Sequence, residues 1–105
     1  MDELKQYKVV VLPAALHDIE LMITDLNGLS PQAAQRLLNE FTDGISSLKK
    51  LPERCPHVRV EHYARLGYRY LIIRYYLVIY SVSGDTVFVR RIVNGRSDYA
   101  KALSS

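Results

Sequence analysis

Two amphipathic helical stretches are joined by almost nothing, and that join constrains the fold more than any other feature. From Pro13 onward Leu16, Ile19, Ile23 and Leu26 recur at helical spacing. Asn27-Gly28 is expected to stop this helix in the left-handed conformation that either residue tolerates. Ser30-Pro31 then opens a second helix, with serine as N-cap and proline at the first helical position. Ala34, Leu37, Leu38, Phe41, Ile45 and Leu48 line one side of it, Lys49 and Lys50 fall in its last turn, and Pro52 ends it. So short a link makes an antiparallel hairpin, and a hairpin with one apolar side needs a sheet to cover.

The rest of the chain supplies that sheet. Tyr7–Leu12 is a short apolar run of strand length before the hairpin. Residues 52–67 read as a loop with a turn of helix near Glu61–Leu66. Strands follow at Arg69–Arg74, Tyr76–Val82 and Thr86–Val93, the last two joined by the tight connection Ser83-Gly84-Asp85. No glycine or proline marks the turn near Tyr75. A short C-terminal helix capped by Ser97 or Asp98 is expected. The reading is a single α+β domain over residues 1–105, two-layered, in the order β-α-α-β-β-β. Its core is expected to bury Leu16, Ile19, Ile23, Leu37, Phe41, Ile45 and Leu48.

The net charge of +3 hides an asymmetry. Residues 1–51 carry −2 and residues 52–105 carry +5, with eight of the nine arginines and seven of the eight tyrosines in the second part. Arginine forks suit phosphates and carboxylates, and tyrosines can stack on bases. No apolar run reaches the roughly 18 residues that would suggest a membrane span. The lone Cys55 cannot close an internal disulfide, which fits a reducing cytoplasm. Cys55, His57 and His62 lie close together, but no second cluster completes a metal set, so neither a metal nor a cofactor is expected. Asp18, Glu20 and Asp25 read as a solvated helix face.

The arginines of the sheet are the candidate site. Alternation puts Arg69, Leu71 and Ile73 on one face of their strand and Tyr70, Ile72 and Arg74 on the other. It sends Arg90 and Arg91 to opposite faces of the last strand, Arg91 with Val87, Val89 and Val93. With both helices on one face, the other is expected to stay open and to gather Arg69 or Arg74, one of Arg90 and Arg91, and Arg96. Such a cluster suits a polyanion or an acidic peptide.

Three segments in succession carry a resemblance. "YKVVVLPAALHDIE", "SPQAAQRLLNEFTDGISSLKKLPERC" and "LGYRYLIIRYYLVIYSVSGDTVFVRRIVNGRSDY" together resemble the RelE/ParE superfamily of bacterial toxins, the toxin halves of type II toxin–antitoxin (plasmid stabilisation) systems. The resemblance covers nearly the whole chain. It implies a hetero-oligomer with an acidic antitoxin and an essential intracellular target. In ParE-like members the target is DNA gyrase, blocked by binding. RelE-like members instead bind and cut mRNA on the ribosome, without a metal.

Carried over by position, Arg69 and Arg96 match basic residues of the nucleases and Tyr99 falls near their C-terminal tyrosine. Arg96 and Tyr99 would be catalytic only in a nuclease. Leu71 and Leu77 stand where those enzymes tend to carry further basic residues, and Asn94 where many relatives carry a titratable histidine. One of Arg90 and Arg91 is expected to face the site and the other to pair with a carboxylate or the antitoxin. Growth inhibition by target binding is therefore placed first, ribosome-dependent RNA cleavage second, and a non-toxic interaction module third.

Overall fold

A computed structural model describes residues 5–95 and 99–104, with the side chains of Tyr99 and Ala100 excepted. Strand β1 (Lys8–Val11) leads into helix α1 (Pro13–Asn27), and α2 (Pro31–Ser47) returns beside it. A 3-10 turn (Pro52–Arg54) and a short helix α3 (Glu61–Arg65) precede strands β2 (Arg69–Ile73), β3 (Tyr76–Ser83) and β4 (Thr86–Asn94). Helix α4 (Tyr99–Ser104) closes the described chain. The expected α+β order holds throughout. The sheet runs β1-β4-β3-β2, antiparallel except that β1 lies parallel to β4.

Local chemistry explains most of the boundaries. Ser30 accepts a hydrogen bond from the Ala33 amide at 3.2 Å, as an N-cap should. The end of α1 differs from expectation: Gly28 is right-handed, with φ −65°. The helix stops because the Leu29 and Ser30 amides both turn back to the Leu26 carbonyl at 3.0 and 2.8 Å. The end of α2 differs too. It finishes at Ser47, before Lys49 and Lys50. Leu51 takes the left-handed conformation, φ 48°, and Arg54 folds back to donate to the carbonyls of Ser47, Lys50 and Leu51 at 3.3, 2.9 and 3.2 Å. A guanidinium at this point satisfies orphan carbonyls and meets the negative end of the helix dipole.

The main core lies between the helical hairpin and one face of the sheet. Leu37, Phe41 and Leu48 are buried against Val78, Tyr80, Val87, Val89 and Ile92. The edge of the Phe41 ring meets Tyr76, with centroids 5.4 Å apart. Helix α2 approaches β2 so closely at Gly44 that an added Cβ would stand 2.5 Å from Ile73 Cδ1. Ile19, Ile23 and Ile45 are half-buried, and Leu16 is 49% exposed, against expectation. The inward positions of α1 are Ala15 and Asp18, so Leu16 turns toward an open groove.

The second face of the sheet is not open. Val58, Ile79 and Val93 are buried in a smaller core, against Tyr63, Ala64, Tyr68 and Tyr70 on one side and Ala102 and Leu103 of α4 on the other. The segment before β2 is pinned there by backbone bonds, Val58 N–H to Tyr68 and Tyr70 N–H to Pro56, at 3.0 and 3.1 Å. A loop and a short helix thus cover what two long helices do not reach.

Candidate functional site

Strand β4 carries a bulge where the two adjacent arginines stand. Ile79 of β3 faces Arg91, yet the next residue, Tyr80, faces Val89. Arg90 therefore has no partner residue in β3. A bulge defeats alternation, because two residues of one strand answer a single step of the other. Arg91 stands opposite Ile79, on the face of the smaller core. Arg90 reaches Ser81, which shares that face, so both arginines lie on one side of the sheet. The expectation of opposite faces, with Arg91 beside Val87 and Val89, is corrected by this one extra residue.

Arg91 is held by Asp18. Its Nε and Nη2 donate to Oδ2 and Oδ1 of Asp18 at 2.8 and 2.9 Å, a two-point fork. Nη1 donates to the Ala102 carbonyl of α4 at 2.7 Å. Asp18 Oδ2 also accepts the Ile92 amide at 2.9 Å, beyond the point where β1 ends. The hydrogen bonds that Asp18 accepts hold the Arg91 guanidinium above its ordinary pKa, against the opposing effect of burial. Asp18 is thus no part of a solvated face, but the joint between α1, β4 and α4. Its place on the apolar stripe, three residues after Ala15 and four before Met22, is the sequence signal that marks it.

Arg90 is positioned differently. Its Nε donates to Ser81 Oγ at 2.9 Å, and its guanidinium lies 5.0 Å from the Tyr68 ring centroid and 6.0 Å from that of Phe88. It lines a cleft of about 310 Å³ with Tyr68, Arg91, the start of α1 at Leu12–Ala14, and Ala102 and Leu103 of α4.

The other candidate arginines lie elsewhere. Arg69 stands opposite Tyr80, on the side of the main core, and its Nη1 donates to the carbonyls of Glu53 and Cys55 at 3.0 and 2.5 Å. There it braces the loop that Tyr80 also holds, through a hydroxyl that donates to the Pro52 carbonyl at 2.5 Å. Burial first, and then the Cys55 side chain, push the Tyr80 phenol well above its ordinary pKa. Arg74 does not continue the alternation of β2. At φ 54° it turns out of the strand and pairs with Glu40 of α2. Arg96, like the capping candidates Ser97 and Asp98, lies outside the described residues. Tyr99 begins α4, and its side chain lies outside them too.

An apolar groove of about 410 Å³ runs between β1, α1 and α2, lined by Val9, Val11, Leu16, Ile19, Leu38 and Ile45, with Lys49 among its polar residues. Its walls explain why Leu16 and Leu38 remain exposed. Among the described residues, no helix is long and apolar enough to cross a membrane.

A family model for the ParE toxin of type II toxin–antitoxin systems matches residues 9–99. Among solved structures, the fold is similar to a chain of the chromosomal ParDE toxin–antitoxin system of P. aeruginosa. That match has a TM-score of 0.71 and 15% identity, over 86% of this chain and 97% of the other. It is also similar to a chain of the RelBE2 toxin–antitoxin complex of Mycobacterium tuberculosis, with a TM-score of 0.59 and 21% identity, over 90% of this chain and 97% of the other. A comparison with curated protein sequences gives no match. The chain belongs to the ParE toxin family of type II toxin–antitoxin systems.

Proposed function

We propose that this toxin arrests growth by binding an essential target, DNA gyrase, and that an acidic antitoxin neutralises it by laying apolar side chains into the groove between β1, α1 and α2. One observation carries the choice of binding over RNA cleavage. Of the four described candidate arginines, three have their guanidiniums engaged within the fold: Arg69 on loop carbonyls, Arg74 on Glu40 and Arg91 on Asp18. Cutting RNA without a metal calls for several preorganised cations around one phosphate, available to the charge that builds in the transition state. Leu71 and Leu77 add nothing to such a set, and Asn94 cannot titrate. Binding a protein surface asks only for complementary shape and a few anchors.

The antitoxin half of the proposal rests on charge and exposed apolar surface. The net +5 of residues 52–105 favours an acidic partner, and the groove offers burial to its apolar residues. The test is induction of the chain in cells, with and without any small acidic protein that a neighbouring gene encodes. The expected result is arrest of replication with intact mRNA, relieved by the neighbour. Codon-specific cuts in mRNA at the onset of arrest would overturn the binding reading.

A further inference from the structure

We propose that the cleft beside Arg90 takes one carboxylate of the antitoxin, from the same segment whose apolar residues fill the groove. The inference rests on the antitoxin reading above and adds to it a specific acidic contact.

Among the described residues, the acceptor that meets Arg90 is Ser81 Oγ, and it takes only Nε. The two terminal nitrogens keep their donors. The guanidinium is nevertheless fixed, by that bond and by the rings of Tyr68 and Phe88. A fork already held in place loses little rotamer freedom when it binds. The cleft around it is walled mostly by apolar groups, Leu12, Pro13, Ala14, Ala102 and Leu103. Such walls exclude water and strengthen a charge-assisted bond at their centre. The other guanidinium in the cleft, that of Arg91, is already balanced by Asp18. Among the described residues that line the cleft, one uncompensated positive charge remains, which suits one carboxylate. A nucleic-acid track would call for a row of free cations at phosphate spacing.

The position of the cleft favours a peptide that also occupies the groove. Val11 lines the groove and Leu12 the cleft; Leu16 lines the groove and Ala14 the cleft. The two cavities flank one strand-to-helix corner, and successive Cα atoms along it are about 3.8 Å apart. An extended chain with apolar anchors in the groove reaches Arg90 within about two to four residues, at roughly 3.3–3.6 Å per residue. The segment predicted is therefore a run of aliphatic or aromatic residues with an Asp or Glu two to four positions from the anchor.

The experiment uses the full-length chain and, as antitoxin, the full-length product of any neighbouring gene that encodes a small acidic protein, titrated calorimetrically at two salt concentrations. Arg90→Ala is expected to weaken binding about 10- to 100-fold, the range of one hydrogen-bonded charge contact. Arg90→Lys should recover only part, because an ammonium lacks the fork. Substituting the matching acidic residue of the antitoxin by Ala should cost a similar factor, and the two losses should not add. Arg36→Ala, on the far side of α2, serves as the charge control. Should Arg90→Ala fold poorly, the antitoxin-side substitution measured against wild type and Arg90→Lys carries the test. Failure of the wild-type chain to bind its neighbour would overturn the antitoxin reading itself. Wild-type binding with full affinity for Arg90→Ala, or additive losses, would overturn this inference alone. So would unchanged antitoxin affinity alongside a loss of binding to a single-stranded RNA 20-mer, which would make the cleft a nucleic-acid site.

Discussion

Asp18 and Arg91 are 73 residues apart in sequence and meet in a two-point ion pair at the edge of the sheet. Through it the first helix, the last strand and the C-terminal helix share one polar joint. Asp18→Asn keeps the size but removes the charge, leaving the largely covered guanidinium without its counter-ion. It should cost about 2–3 kcal/mol, less than a fully buried pair because Arg91 keeps part of its surface in water. Arg91→Met should cost a similar amount, and the double variant much less than the sum. Urea unfolding of the four proteins measures this coupling, and additive losses would show that the pair is incidental.

Tyr80 gives the fold an alkaline limit. Its folded-state pKa lies above the unfolded value of about 10, so the folded chain keeps the phenolic proton more tightly. That contribution is complete below pH 10 and is lost as pH rises through the folded-state value. Tyr80→Phe leaves the Pro52 carbonyl without its donor and should cost roughly 1–3 kcal/mol at neutral pH. The gap between the two proteins should be constant up to about pH 9 and narrow above about pH 10. A gap independent of pH up to the point of unfolding would contradict this.

Phe41 anchors the main core. Phe41→Ala should destabilise by about 3–5 kcal/mol, because Tyr76 and the β-branched residues around it cannot collapse into the space. Thermal unfolding reads this directly, and a loss under about 1 kcal/mol would mean that the hairpin does not depend on that ring.

Leu51 is held in the left-handed region with its side chain more than half exposed. Leu51→Gly removes the steric cost of that conformation, about 1–2 kcal/mol, and gives back part of it in chain entropy. The expected net effect is a small gain, up to about 1 kcal/mol, where an exposed leucine at a right-handed position would show a loss. Chemical denaturation of the two proteins decides the sign.

How far the sequence carried varies with the kind of signal. The helical hairpin and the three C-terminal strands were legible because each has its own period and, except at the β2–β3 turn, Pro, Gly or Ser marks the boundaries. The left-handed conformation of Arg74 and the early end of α2 at Ser47, with Leu51 left-handed after it, were not, because ordinary residues there adopt a conformation that glycine would have announced. The second core was hidden because Val58, Tyr63 and Leu103 come from segments with no regular pattern. The site was least legible where it matters most. Two adjacent arginines in a strand imply opposite faces, and only the bulge, which no residue type announces, brings them to the same one. Asp18 could have been found, since a carboxylate on an apolar helical stripe needs a buried partner.

The proposed binding of gyrase is tested most directly by negative supercoiling of relaxed plasmid by purified gyrase in the presence of this chain. Near-stoichiometric toxin is expected to block supercoiling or trap cleaved DNA, the antitoxin to restore activity, and ribosome-bound mRNA to stay intact at the same concentrations. Unimpaired supercoiling together with toxin-dependent cuts in ribosome-bound mRNA would contradict it.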